Sequence, residues 1–327
     1  MRKILFVHND PGRFVNWDLQ KLQERYQVTE YCLHKRRMNP AAIWRQVRAH
    51  DLVFGWFASW HTFLPMFFAR LLGKPSLLVS GGYDVANLPE IDYGHQRGGL
   101  KKWMGRWTMR LTSCLVTNSC FSRDEAGRNA GIPKERVHMV YHGVPDPFVS
   151  LPGEPRAHMV LTVGNVDRGN LWRKGHEPFV RAAAYLPDVT FVLIGAWKDD
   201  AINYLRAIAP PNVSFTGWVD DETLLDYYCK ASVYVQPSRH EGFGLSVAEA
   251  MLSGCIPVVT QVGALPEVVG KCGIYLAAQD PASIAQAIEG ALASNPEARL
   301  LARQRILEQF PMNRRGQSLD QLISSLI

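Results

Sequence analysis

PSRHEGFGLSVAEAMLSGCIPVV, residues 237–259, leaves an apolar strand at Gln236, turns through Gly242 and Gly244, enters a helix near Leu245 and ends in a second apolar run. Strand, glycine turn, helix and strand in that order are the parts of a parallel βαβ unit, and ligands of such sheets bind at the carboxyl ends of the strands. Two carboxylates bracket the turn. Glu241 falls in the loop, and Glu249, with seven residues between them, falls about one turn inside the helix. The backbone N–H groups of Gly244, Leu245 and Ser246 open the helix and suit a phosphate. A carboxylate deeper in the helix does not help there, but it can accept hydrogen bonds from vicinal ribose hydroxyls. The pattern reads as a cradle for a nucleotide sugar.

Outward from this segment the same alternation recurs. ILFVH, DLVFGWF, PSLLVS, CLVTNS and VHMVY are the expected strands of the first half; MVLTVG, TFVLIG, VSFTG, VYVQPS and IPVVT are those of the second. Helical patterns lie over residues 174–186, after Lys198, over 221–231 and from Leu245. From Ala282 the chain is helical until FPMN around Pro311, with a short final helix beyond. At 327 residues and 36.8 kDa, such a chain makes two Rossmann-like halves. The Pro- and Gly-containing stretch at 150–156 is the expected linker.

Composition removes several classes. Hydrophobic content of 47% and charged content of 20% are globular values, and no apolar run is long enough to span a membrane. The amino-terminal MRKILFVHND lacks a signal-peptide pattern, so a cytoplasmic protein is expected. Six scattered cysteines without a CxxC pair predict reduced thiols and no structural zinc. The first strand is not followed by GxGxxG, against a dehydrogenase. Residues 1–155 hold 21 Lys/Arg against 13 Asp/Glu, whereas 156–327 hold 15 against 17. No nucleic-acid module accompanies that basic half, so nucleic acid is not an expected partner.

A second element supports the cradle. GNVDRGNLWRKG (164–175) carries Arg168, Arg173 and Lys174 between a strand and a helix, and fixed cations can offset the charge on a departing diphosphate in place of a metal.

These features resemble the retaining glycosyltransferases of family GT4, whose Glu, seven residues, Glu signature is matched by EGFGLSVAE (241–249). The linker, GALPEVVG (263–270) and the terminal helices also look like the family. The resemblance implies an α/β, GT-B fold: two Rossmann-like domains across a cleft, with an acceptor domain at 1–152, a nucleotide-sugar domain at 153–309, and a helix at 310–327 returning to the first. Carried over, Glu241 contacts the donor sugar, Glu249 the ribose, and the amides at Phe243, Gly244 and Leu245 the sugar and diphosphate. Lys174 matches the family's diphosphate lysine. The family's arginine position is Asn165, so either Arg168 or Arg173 takes its place. SGGYDV (80–85) resembles the family's His-Gly-x-Asp segment near the reacting centre, with Asp84 as the aspartate and Gly81 where the histidine stands. His61 and His142 are the candidates to replace that histidine on the acceptor side, and each also reads as an ordinary strand-end residue. Gly12, in NDPGR, matches a loop near the donor diphosphate. No metal or other cofactor is expected.

The resemblance implies transfer of a sugar from a UDP- or GDP-linked donor to the hydroxyl of a glycan or lipid-linked acceptor, with retention. A non-catalytic nucleotide-sugar binder or a GT-B epimerase are the rival readings. Between Asp92 and Asp124 there are six basic residues and no acid. Leu100, Trp103, Met104, Trp107 and Leu111 recur there at helical spacing. A helix over 97–111 either lies peripherally on an anionic membrane or packs these side chains in the core. HTFLPMFFARLLGK (61–74) carries the same ambiguity.

Overall fold

Continuous apolar runs without polar alternation are what strands need when helices cover both faces of a parallel sheet, and in this computed structural model they form two such sheets. Residues 1–9, 12–33, 38–148 and 156–327 are described. The chain divides into one unit of Met1–Gly143 with Met312–Ile327 and another of Val144–Pro311. The expected linker, except Arg156, and the 152/153 boundary lie outside the described residues.

In the first unit the elements run β1 (Lys3–His8), α1 (Arg13–Gln23), β2 (Gln27–Cys32), α2 (Pro40–Ala49), β3 (Leu52–Trp56), α3 (Trp60–Leu71), β4 (Ser76–Ser80), α4 (Gly99–Leu111), β5 (Cys114–Thr117), α5 (Cys120–Ala130) and β6 (Val137–Met139). All six strands are parallel, in the order β2-β1-β3-β4-β5-β6. Strand β2, QVTEYC, was not expected. It pairs only with β1 and stays partly exposed, so as an edge strand it needs no apolar run.

The second unit continues with β7 (Ala157–Val163), α6 (Arg168–Arg173), α7 (His176–Ala182), β8 (Thr190–Ile194), α8 (Ala201–Ile208), β9 (Val213–Gly217), α9 (Asp221–Lys230), β10 (Ala231–Gln236), α10 (Leu245–Leu252), β11 (Ile256–Val259), α11 (Leu265–Val269), β12 (Ile274–Tyr275), α12 (Pro281–Leu292) and α13 (Pro296–Gln309). Its parallel sheet is ordered β12-β11-β10-β7-β8-β9. Val160, Phe179, Phe191, Leu193, Val233 and Val258 anchor a core filled by α7, α8 and α12.

The final helix, α14 (Met312–Leu326), is 15 residues long rather than short, and it completes the first unit. Leu319 and Ile323 join the cluster of Ile4, Phe6 and Trp56. Arg315 makes two 2.6 Å hydrogen bonds to the carboxylate of Asp18 on α1. Its remaining N–H groups donate to the carbonyls of Val140 and Tyr141. Both ionic side chains are at most 2% exposed, so either one left alone is an uncompensated buried charge. Arg315→Leu is therefore expected to cost about 3–5 kcal/mol in urea denaturation, and adding Asp18→Leu should recover most of it. Equal losses in the single and double variants would show that the pairing does not matter.

Candidate active site

The second sheet reverses its order between β10 and β7, because β11 and β12 extend beyond one while β8 and β9 extend beyond the other. Loops leaving the carboxyl ends of these neighbours depart to opposite faces and open a crevice, the usual ligand position in such sheets. The loop from β7 leads to α6 and Lys174; the loop from β10 carries Glu241. Lys174 Nζ donates to Glu241 Oε2 at 2.7 Å, with both side chains only 13% exposed. Burial alone would raise the Glu241 carboxyl, but the Lys174 ammonium and the Arg173 guanidinium hold it below its ordinary value. For Lys174 burial acts the other way and lowers the ammonium, opposed by Glu241.

A polar relay supports the pair from beneath. The Tyr234 hydroxyl accepts from Val163 N across β10 and β7 and donates to Gln236 Oε1 at 2.9 Å. Gln236 Nε2 donates in turn to Ser238 Oγ at 2.6 Å. Two glycines then let backbones approach closely. At Gly263 (φ +60) a Cβ would stand 2.3 Å from the Glu241 carbonyl oxygen, while Ala264 N donates to that oxygen at 2.9 Å. At Gly175 (φ +71) a Cβ would stand 2.4 Å from Pro237 O. Neither contact is visible in residue types, although Gly263 falls in GALPEVVG and Gly175 ends GNVDRGNLWRKG.

The other expected residues divide. Glu249 lies in α10 and accepts from the Tyr228 hydroxyl at 3.1 Å. Gly244, in a left-handed conformation, caps α10, so Leu245 and Ser246 supply its first amides. The Phe243 ring is buried, edge-on to Phe310 at 5.4 Å, leaving only its backbone for a ligand. Arg173 stays beside the pair, bonded to Asn170 Oδ1 at 2.6 and 3.0 Å. Arg168 does not: its side chain is 76% exposed and paired with Asp200 at the surface. Of the two arginines, Arg173 lies beside the pair, whereas Asp200 holds the Arg168 guanidinium at the surface and Asp199 accepts only from the Arg168 backbone N–H.

In the first unit Asp84 is fully buried and borders a cavity. Its oxygens accept from Ala58 N at 2.8 Å, Ser80 Oγ at 2.9 Å and Gly81 N at 2.9 Å, which ties the loops after β3 and β4 together. Burial raises its carboxyl. A Cβ at Gly81 would meet the Phe57 ring at 2.3 Å, so the missing histidine's place is filled. His61 donates to Trp56 O at 2.8 Å, and burial lowers it to about 4. His142 is a core residue, stacked on Trp56 and bonded to Asn118 at 2.8 Å, and burial keeps it neutral. Gly12 caps α1 with φ −52, a conformation open to any residue; Asp10 and Pro11 beside it lie outside the described residues. A cavity of about 500 Å³ lies at the strand-order reversal of this sheet, between β1 and β3, with Asn9, Trp60, His61, Tyr83 and His95 in its wall. His95 was missed; its segment, 86–98, has no periodic pattern to place it. Among the described residues no three His, Cys, Asp or Glu side chains gather as a metal site.

Residues 157–294 match the family described as "Glycosyl transferases group 1". Over 180 residues the chain is 38% identical to the O-antigen chain mannosyltransferase B of Escherichia coli, covering 49% of this chain and 46% of that one. An alpha-galactosylglucosyldiacylglycerol synthase of Streptococcus pneumoniae is 27% identical over 174 residues, 47% and 45% of the two chains. The chain spans about half the length of the curated relatives it matches. The crystal structure of Anabaena HepE with UDP and glucose superposes at a TM-score of 0.80 with 18% identity, covering 100% of both chains, and so shares the fold.

Lys174→Met tests the pair by removing the ammonium while keeping the stem. Because the folded Glu241 value lies below the unfolded one, the stabilisation is present above about pH 4.5 and fades as pH falls through the folded value. Wild type is expected to exceed Lys174→Met by about 3 kcal/mol in urea denaturation at neutral pH. That gap should narrow below about pH 4.5; a gap that persists unchanged would mean the ion pair is not its source.

Proposed function

We propose, from the match of residues 157–294 to the glycosyl transferases group 1 family and the GT-B fold shared with HepE, that the chain transfers a hexosyl group from a nucleoside diphosphate sugar to an acceptor hydroxyl with retention of anomeric configuration. The observation that carries the reading is the buried Lys174–Glu241 pair at the reversal of strand order, beside Arg173 and the start of α10.

Each group has a task in that reaction. As the glycosidic bond lengthens, negative charge builds on the departing diphosphate and positive charge on the sugar ring. Lys174 and Arg173 offset the former, and a site shielded from water makes their field stronger than in solution. The first amides of α10 bind the phosphates. Glu249 accepts from the ribose hydroxyls, exchanging its present bond from Tyr228 for bonds from the ligand. Glu241 holds the hydroxyls of the transferred sugar and stabilises the oxocarbenium-like ring. Lys174 donates to Glu241, so a diphosphate bound beside it would compete for that ammonium and free the carboxylate for the sugar. The second carboxylate, Glu249, lies one turn into α10 on Tyr228, so the proposal uses no covalent glycosyl–enzyme. The acceptor attacks the face that the diphosphate leaves, and a diphosphate oxygen takes its proton.

HepE is described with UDP and glucose, and the E. coli relative as a mannosyltransferase; these support a hexosyl donor and make UDP the first nucleotide to test, with GDP second. Calorimetric titration with UDP and GDP should show binding of one, lost or strongly weakened in Lys174→Met. With the matching donor, Glu241→Gln should lower transfer by about 10²–10³-fold while the chain still folds, at a stability cost comparable with that of Lys174→Met because it too leaves one charge of the buried pair unmatched. Proton NMR of the product should show the donor's anomeric configuration. Inversion, or near wild-type turnover by Glu241→Gln, would overturn the assignment.

A further inference from the structure

Helices α3 and α4 pack on one another and turn apolar side chains outward that the fold has no use for. On α4 the inward positions are Gly105, Thr108 and Met109, and Leu100, Trp103 and Trp107 are 70%, 50% and 42% exposed. The reading in which these residues fill the core is therefore overturned. On α3, His61, Thr62, Pro65, Met66 and Ala69 face inward, while Trp60, Phe67 and Leu71 face out. The two stripes meet. Phe63 is 5.5 Å from Trp103 and 6.4 Å from Phe67, and Trp103 is 6.2 Å from Trp107, ring centre to ring centre. A contiguous aromatic surface of this kind on a soluble domain marks an interaction site.

Charge says what it meets. No acidic residue occurs between Asp51 and Asp84, nor between Asp92 and Asp124, so neither helix carries a negative side chain. Arg70 lies three residues after Phe67 and Arg110 three after Trp107, on the outward side of each helix, and both are exposed. Lys101 is exposed at the start of α4. Arg106, by contrast, is held by Gln96 and the Asn129 carbonyl and belongs to the fold. A second copy of the chain would bring guanidinium against guanidinium with no carboxylate to oppose them, which disfavours self-association. Indoles, phenyl rings and cations without acids suit the headgroup layer of an anionic bilayer, where rings sit at the interface and cations reach the phosphates.

We propose that the α3–α4 face docks on anionic membrane, and that the acceptor is a lipid-linked hydroxyl compound presented there. The cavity of about 500 Å³ shares Trp60 and Leu100 with this face and has Lys101 in its wall, so a bilayer seated on the stripes places its headgroups at the cavity rim. The docking stands on the surface alone; the acceptor class rests on the transferase reading.

The test is sedimentation of the full chain with phosphatidylcholine vesicles, with and without about one-third phosphatidylglycerol. Binding is expected only to the anionic vesicles and to weaken with salt. Arg70→Gln with Arg110→Gln should reduce it about 25-fold, at roughly fivefold per charge. Trp103→Ser with Trp107→Ser should also weaken it, with unchanged melting temperature because both rings are exposed. Equal binding to neutral vesicles, no binding at all, or unchanged binding by both variants would overturn the proposal, as would a concentration-dependent dimer that the Trp variant abolishes in place of vesicle binding. Titration of the same samples with UDP and with GDP separates the two readings. Vesicle binding without nucleotide binding would sink the donor site and leave the face intact, whereas nucleotide binding without vesicle binding would do the reverse.

Discussion

Two opposite charges 2.7 Å apart and almost sealed from water, Lys174 and Glu241, set the terms for everything around them in the second unit. Neither could be buried alone at tolerable cost. They come from loops on neighbouring strands, so the sheet must reverse its order between β10 and β7 to bring them together. The loop of Glu241 must then be fixed to within tenths of an ångström. Gly263 and Gly175 supply that fixity by letting backbone stack on backbone where a methyl group would not fit. The relay from Tyr234 through Gln236 to Ser238 fills the floor with satisfied hydrogen bonds. The crevice thus concentrates fixed charge at some expense in stability, which a packed apolar core does not do.

The motif at 237–259 was legible because a loop followed by a helix displays its functional spacing directly in the chain. Residues whose meaning depends on packing were not. Arg168 and Arg173 look alike in sequence, and it is Asp200, 32 positions on, that holds the guanidinium of one of them at the surface. Asp84 borders the cavity of the first unit, and its three hydrogen bonds, which tie two loops together, are visible in no residue pattern. Edge strand β2 escaped because an edge carries no apolar run. For α4, periodicity announced a stripe without saying which side of it met the protein; the burial of Gly105 and Met109 decides that. His95 gave no signal at all.

The first unit is built on a parallel logic. Its own strand-order reversal, between β1 and β3, also carries a cavity, walled by aromatic rings and two histidines together with Asp84 and Lys101. The aromatic share of that wall sets it apart from the crevice of the second unit, where a buried ion pair dominates. The division of labour follows from the side chains that each sheet presents at the same topological position.

The Arg315–Asp18 bridge joins residues 297 positions apart, and this imposes an order of events during synthesis. The second unit, contiguous from Val144 to Pro311, has all its parts before α14 is made. The first unit does not: it begins the chain, yet Asp18 and the apolar side of α1 wait for a helix translated after the whole of its neighbour. Until then a carboxylate lacks its guanidinium, and Trp56 and Phe6 lack Leu319 and Ile323. The half made first is thus the half finished last, and a nascent chain exposes that gap for as long as a ribosome takes to cross the second unit.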